Sequence, residues 1–175
     1  MQKGSLAGLI MVCISCLAFA QEKPANPLAL LRADHIMIST ADYAGTLEWY
    51  RSILGFEVQL EWDVAGYPDV EVGYIAANGF MIEVVGTPES FQSEKLPPDV
   101  FAAMSDRGYV HMAFKSADVD AVAAALIERG VELELPPTDF AVAGVRLLFI
   151  RDNNGNLIEI VSPLPTGTSL STDED

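Results

Sequence analysis

The sequence predicts an α+β fold made of two copies of a βαβββ unit, and three observations carry that expectation. The chain's two histidines sit in similar settings, His35 in DHIMISTAD and His111 in VHMAFKSAD, each with an Ala-Asp pair at the same distance downstream. Each histidine is followed, 48 residues later, by a glutamate inside an apolar run: Glu83 in FMIEVV and Glu159 in NLIEIV. Each glutamate also lies four residues after the glycine of an Asn-Gly pair. Matched spacings of this kind mark an internal duplication rather than a coincidence of composition.

The N-terminal twenty residues stand apart from the repeat. Lys3, the apolar run Leu6 to Phe19 and the A-x-A sequence Ala18-Phe19-Ala20 read as a secretory signal peptide, too short for a spanning helix. A lipoprotein modification at Cys16 ranks second, because Cys13-Ile14-Ser15-Cys16 lacks the usual leucine. Cleavage after Ala20 removes both cysteines, so the exported chain is expected to have no disulfide and no sulfur ligand. Residues 21–32, with Pro24 and Pro27, read as a flexible leader.

The first module covers residues 33–86. His35 to Thr40 alternates as a strand, Asp42 can cap a helix from Tyr43 to Leu54, and Gly55 stops it. Strands follow at Phe56–Trp62, Val70–Ala76 and Phe80–Val85, the last two joined at Asn78-Gly79, a strong type I′ hairpin signal. The second module, residues 109–163, keeps that order. Its strand Val110–Lys115 leads to the cap Asp118, the helix Val119–Arg129 and the stop Gly130. Strands are expected near Val131–Glu134 and at Val145–Arg151, and Asn154-Gly155 turns the chain into Leu157–Val161.

Residues 87–108 connect the modules, with Pro88, Pro97, Pro98 and a short helix expected at Val100–Met104. A connector this long in a compact domain is either a plain linker or a lid that contacts substrate. Residues 164–175 form an acidic ending read as a solvated tail.

The 175 residues, half of them hydrophobic, suffice for one domain with a buried core. The formal charge of −15 becomes −16 when Lys3 leaves with the signal. No basic patch exists, which argues against nucleic acid and anionic membrane surfaces as partners and leaves no membrane anchor after cleavage.

Strand alternation puts Glu83 on one face with Met81 and Val85, and Glu159 with Leu157 and Val161. An unpaired carboxylate in such an apolar row is costly to bury. A bound cation would resolve both glutamates, and Arg146, Arg151 and Lys115 are the near-strand alternatives in the second half. A lone strand histidine is usually a hydrogen-bonded core or surface residue. Two histidines and two glutamates at matched positions instead point to a divalent metal held by His35, Glu83, His111 and Glu159. The bland alternative is a relict, metal-free duplicate.

The stretches DHIMISTADYAGTLEWYRSILGFEV, NGFMIEVVG, HMAFKSADVDAVAAALIERGVEL and FIRDNNGNLIEIVSP resemble the vicinal oxygen chelate superfamily, also called the glyoxalase/bleomycin-resistance/extradiol-dioxygenase superfamily. The resemblance covers most of residues 33 to 163 and implies a curved mixed sheet, an open barrel around a metal cleft. It places the ligands on the first and last strands of each module, where this chain has His35, Glu83, His111 and Glu159.

Two imidazoles and two carboxylates suit one divalent ion such as Zn²⁺, Ni²⁺, Co²⁺, Mn²⁺ or Fe²⁺. Such an ion can stabilise a developing enolate while a glutamate moves a proton. That combination is similar to type I glyoxalase, a lyase or isomerase acting on the hemithioacetal of methylglyoxal and glutathione. The resemblance then implies Glu159 or Glu83 as the catalytic base, with Glu159 preferred. It also implies a basic residue near the first ligand and an asparagine near the second, where Ser39 and Thr87 stand instead. These departures weaken glutathione recognition without touching the ligand set.

Met37, Tyr109, Met81 and Leu157 are the expected apolar lining, and the facing of Trp62, Tyr67 and Tyr74 is open. An extradiol dioxygenase using His35, His111 and Glu159 would lack the extra acid/base histidine such enzymes employ. A metal-enolate epimerase remains closer, although export counts against coenzyme A substrates. A metal-free small-molecule binding or resistance protein is the alternative from another class. The repeat leaves two arrangements open: a site shared by the modules of one chain, or one formed by exchange in a homodimer.

Overall fold

A computed structural model describes residues 27–92, 96–105 and 107–164. The expected signal peptide (1–20) and nearly all of the acidic tail therefore lie outside the described residues. The chain divides into two units, Met1–Ala33 and Asp34–Asp175. In the first, the described residues include one 3-10 turn, Pro27–Leu30.

The second unit holds both modules. Module one runs β1 (His35–Thr40), α1 (Tyr43–Leu54), β2 (Glu57–Asp63), β3 (Glu71–Ala77) and β4 (Phe80–Gly86). After a short connector helix, α2 (Val100–Ala103), module two repeats it as β5 (His111–Lys115), α3 (Val119–Glu128), β6 (Leu133–Phe140), β7 (Val145–Arg151) and β8 (Leu157–Pro163). The strands form two four-stranded sheets, ordered β1-β4-β3-β2 and β5-β8-β7-β6, and neither closes into a barrel. In each, the first strand pairs parallel to the last and the other pairings are antiparallel. The crossover helix makes the parallel pairing reachable, since a tight turn cannot join parallel strands.

Local chemistry sets the helix ends in both copies. Asp42 accepts from the Gly45 N–H at 2.9 Å, and Asp118 accepts from the Ala121 N–H at 3.0 Å. Each satisfies a backbone donor that the first helical turn leaves unpaired. Gly55 and Gly130 then take positive φ just past the helices, a conformation that costs other residues more. The β3–β4 turn has Asn78 and Gly79 both at positive φ, as a type I′ hairpin requires.

The β7–β8 connection differs, because only Gly155 has positive φ there. That turn is organised around the Asp152 carboxylate, which accepts from the Asn154 and Asn156 backbone N–H groups at 2.9 and 2.8 Å. The β6 strand also differs from expectation. It starts at Leu133 and continues past the expected end at Glu134 through Pro136 and Pro137, which it tolerates because β6 is an edge strand whose register shifts around them.

Alternation sends one face of each sheet into the core. Ile82 and Val84 of β4, and Ile158 and Ile160 of β8, are buried together with Tyr50 of α1 and Leu126 of α3 in one cluster spanning both modules. A buried polar contact also joins them. The Tyr50 hydroxyl donates to Asp152 Oδ2 at 2.7 Å, while the Asn153 and Asn154 side-chain amides donate to Thr46 Oγ1 at 3.1 and 3.0 Å. Helix α1 of the first module thus grips the β7–β8 turn of the second. Burial, followed by the Asp152 charge, holds the Tyr50 phenol far above its usual pKa, so it remains a donor.

Tyr50→Phe keeps the ring but leaves the buried Asp152 carboxylate without one donor. The expected loss is about 1–3 kcal/mol, read from the urea midpoint at unchanged slope. Ser52→Ala, on the exposed side of the same helix, should stay within about 0.5 kcal/mol.

Candidate metal centre

The parallel pairing of first and last strands places each histidine beside its own module's glutamate. In module one, His35 lies opposite Met81 and Met37 opposite Glu83. In module two, His111 lies opposite Leu157 and Ala113 opposite Glu159. His35 Nε2 is 3.5 Å from Glu83 Oε2, and His111 Nε2 is 2.9 Å from Glu159 Oε2. One ion holding both donors at about 2.1 Å would set them roughly 3.0–3.4 Å apart, so one pair lies just beyond that range and the other just short of it.

The four predicted ligands are brought together two by two. Among the described residues, no group of three or more His, Cys, Asp or Glu side chains is arranged to hold a metal ion. The four residues therefore stand as two separate pairs within one chain. Both histidines nevertheless line one cleft of about 630 Å³, together with Met37, Phe80, Tyr109 and Leu157. Met37, Tyr109 and Leu157 belong to the predicted lining, whereas Met81 stands outside it.

The glutamates meet histidine rather than arginine. Arg146 is taken by Asp120 and Asp139, and Arg151 lies 3.0 Å from Glu134. Glu83 and Glu159 keep partial solvent access, at 20% and 14% of their side chains. Burial alone thus demands a metal less strongly than the sequence pattern implied, because each carboxylate already adjoins an imidazole and keeps some exposure to solvent.

The two His–Glu pairs are not identical. His35 Nδ1 hydrogen-bonds Asp34 Oδ1 at 2.7 Å, whereas Val110 precedes His111. The Asp34 bond raises His35 above the usual imidazole pKa; the Glu83 charge adds to this and desolvation opposes it.

Aromatic rings flank both pairs. Tyr74 of β3 lies opposite Glu83, 5.3 Å from the His35 ring and 4.9 Å from Trp62. Phe149 of β7 lies opposite Glu159, with its ring 5.2 Å from His111. Sequence reasoning left Tyr74 unplaced and missed Phe149. The matching signal is blurred because Phe149 precedes its glutamate by one residue more than Tyr74 does.

The connector touches one pair's sheet. Val100 and Ala103 of α2 pack with Leu147, Phe149 and Leu157, on the face that carries Glu159. On the corresponding face of the first sheet, Met37 and Leu60 are exposed. Ser39 and Thr87, where the resemblance called for a base and an amide, hydrogen-bond Ser90 and Glu89 respectively.

A duplicated βαβββ chain with a His–Glu pair on each sheet defines the class. Residues 32–160 match the Glyoxalase/Bleomycin resistance protein/Dioxygenase superfamily, and the chain belongs to that superfamily. It is 31% identical over 134 residues to the uncharacterized protein YaeR of Escherichia coli (strain K12), covering 76% of this chain and 97% of that protein.

Two solved structures share the fold. A glyoxalase family protein from Enterococcus faecalis superposes with a TM-score of 0.61 at 25% identity, covering 76% of this chain and 98% of its own. The trypanothione-dependent glyoxalase I of Leishmania major gives 0.55 at 19% identity, covering 75% and 87%. Members of the superfamily commonly bind a divalent metal and act on small molecules.

The raised His35 pKa has a definite sign. The protonated ring is favoured in the folded state, so its stabilisation is complete below the unfolded value of about 6.5. It fades as pH rises through the higher folded value. A proton NMR titration of metal-free protein should place the His35 midpoint above about 6.5; a midpoint at or below that value contradicts the Asp34 contact.

Proposed function

We propose that this protein is an exported, divalent-metal-dependent lyase or isomerase of glyoxalase type, acting on a small oxygenated substrate. The observation that carries the reading is the duplicated His–Glu pair, each close to the spacing of two ligands on one ion and beside an aromatic ring. His35, Glu83, His111 and Glu159 would hold the ion, and the carboxylates would neutralise its charge.

When bound, the ion supplies Lewis-acid stabilisation of negative charge on a substrate oxygen. Glu159 takes and returns the substrate proton, and Glu83 is its counterpart in the other half-site. The residual solvent access of both carboxylates leaves them able to reach a substrate. The cleft that both histidines line has the apolar walls Met37, Phe80 and Leu157, and the two glutamates stand beside those histidines rather than in its lining.

Two half-sites per chain favour completion by a second copy. In that homodimer the first module of one chain faces the second module of the other. The separation of the pairs within a chain, and the exposure of Met37 and Leu60, support this arrangement.

A metal-free small-molecule binding protein is the second reading. The same separation favours it, as does a cleft of about 630 Å³ that needs no ion to admit a ligand.

Elemental analysis of the tag-free protein decides between the readings. Stoichiometric metal is expected, with loss in both His35→Ala and His111→Ala. A protein that takes up no added Ni²⁺, Zn²⁺, Mn²⁺ or Fe²⁺ would establish the second reading instead. In metallated protein assayed with methylglyoxal and glutathione, Glu159→Gln should lower kcat by roughly 10²–10⁴. No wild-type turnover with any metal moves the assignment to another substrate.

Mixing the two histidine variants tests sharing between chains. A heterodimer regenerates one intact site only if modules from different chains meet. Unmixed-level activity after exchange points to sites within single chains.

A further inference from the structure

We propose that Asp34 is a positioning residue of the first half-site: its carboxylate holds the His35 Nδ1–H and so leaves Nε2 as the donor atom facing Glu83. The inference adds a residue outside the four-ligand set, and its metal-binding consequence rests on the reading above.

The geometry carries it. Asp34 Oδ1 stands 2.7 Å from His35 Nδ1, while Nε2 lies 3.5 Å from Glu83 Oε2. An ionised carboxylate can only accept, so the proton of this bond belongs to Nδ1. In a neutral imidazole the other nitrogen then carries the lone pair, and it is the one turned toward Glu83. The Tyr74 ring lies 5.3 Å from the imidazole, and the hydrogen bond to Asp34 sets which nitrogen is protonated and how the ring is aimed.

Among the described residues, His111 has no comparable partner at its Nδ1. Val110 holds the position that Asp34 holds in the first copy, and an isopropyl group accepts no hydrogen bond. The duplication therefore preserved the ligands and made their support unequal. A carboxylate on the far nitrogen of a ligating histidine raises its basicity and fixes its tautomer, and loss of such a partner weakens metal binding by roughly 10–100-fold.

The chain is well suited to a direct test because its two histidines give only two imidazole signals. Asp34 is 75% exposed at its side chain, so substitution there spares the core. Metal-free, ¹⁵N-histidine-labelled protein is examined by long-range ¹H–¹⁵N correlation at about pH 8.5, above the imidazole range. Wild type should show His35 protonated at Nδ1. Asp34→Ala should shift it toward protonation at Nε2, Asp34→Asn should retain part of the Nδ1 form through its carbonyl acceptor, and His111 should not change.

Calorimetric titration with Zn²⁺ alone supplies the second readout, with affinity falling roughly 10–100-fold in Asp34→Ala and less in Asp34→Asn. His35 protonated at Nε2 in wild type, or unchanged in Asp34→Ala, overturns the inference. A changed tautomer with Zn²⁺ affinity within twofold of wild type overturns the positioning role. Wild type that binds no Zn²⁺ or other divalent ion would instead remove the metal reading, and the spectra would still decide what Asp34 does to His35.

Discussion

Everything at the candidate centre depends on the two-residue alternation of β4 and β8. The pleat that turns Ile82 and Val84 into the common core turns Glu83 to the other face, and Ile158 and Ile160 do the same for Glu159. A one-residue slip would bury both carboxylates among aliphatic side chains and expose those side chains to water. Each buried aliphatic side chain is worth about 1.5–3 kcal/mol, so several together fix the register against that alternative. The orientation of the glutamates is thus set by hydrophobic burial on the opposite face.

The parallel pairing of first and last strands then determines which groups meet. A histidine opening β1 and a glutamate in β4 are far apart in sequence, yet the crossover through α1 lays their strands side by side. Repetition of this unit gives two similar pairs. Their environments diverge through neighbours the duplication did not preserve: Asp34 against Val110, Tyr74 against Phe149, and a connector helix on one sheet only. The Tyr50–Asp152 bond ties the modules through the same turn whose Asn156 borders the cleft.

Much of the fold was legible because its signals are local. Asp42 and Asp118 cap, Gly55 and Gly130 stop, and Asn78-Gly79 turns, each through backbone geometry that a few residues control. The β6 strand was harder, because tolerance of Pro136-Pro137 depends on its being at an edge, a property of sheet order. Tyr50 falls within the expected helix from Tyr43 to Leu54, while its buried partner Asp152 lies in the other module.

The sequence by itself determined the duplication, the α+β modules and the strand faces of Glu83 and Glu159. Periodicity and spacing are properties of one strand and one repeat. Only the tertiary structure decided that His35, Glu83, His111 and Glu159 stand as two pairs and that each glutamate already has a histidine beside it. Those outcomes depend on distances between strands and between modules, which packing of the shared core sets and no local pattern encodes.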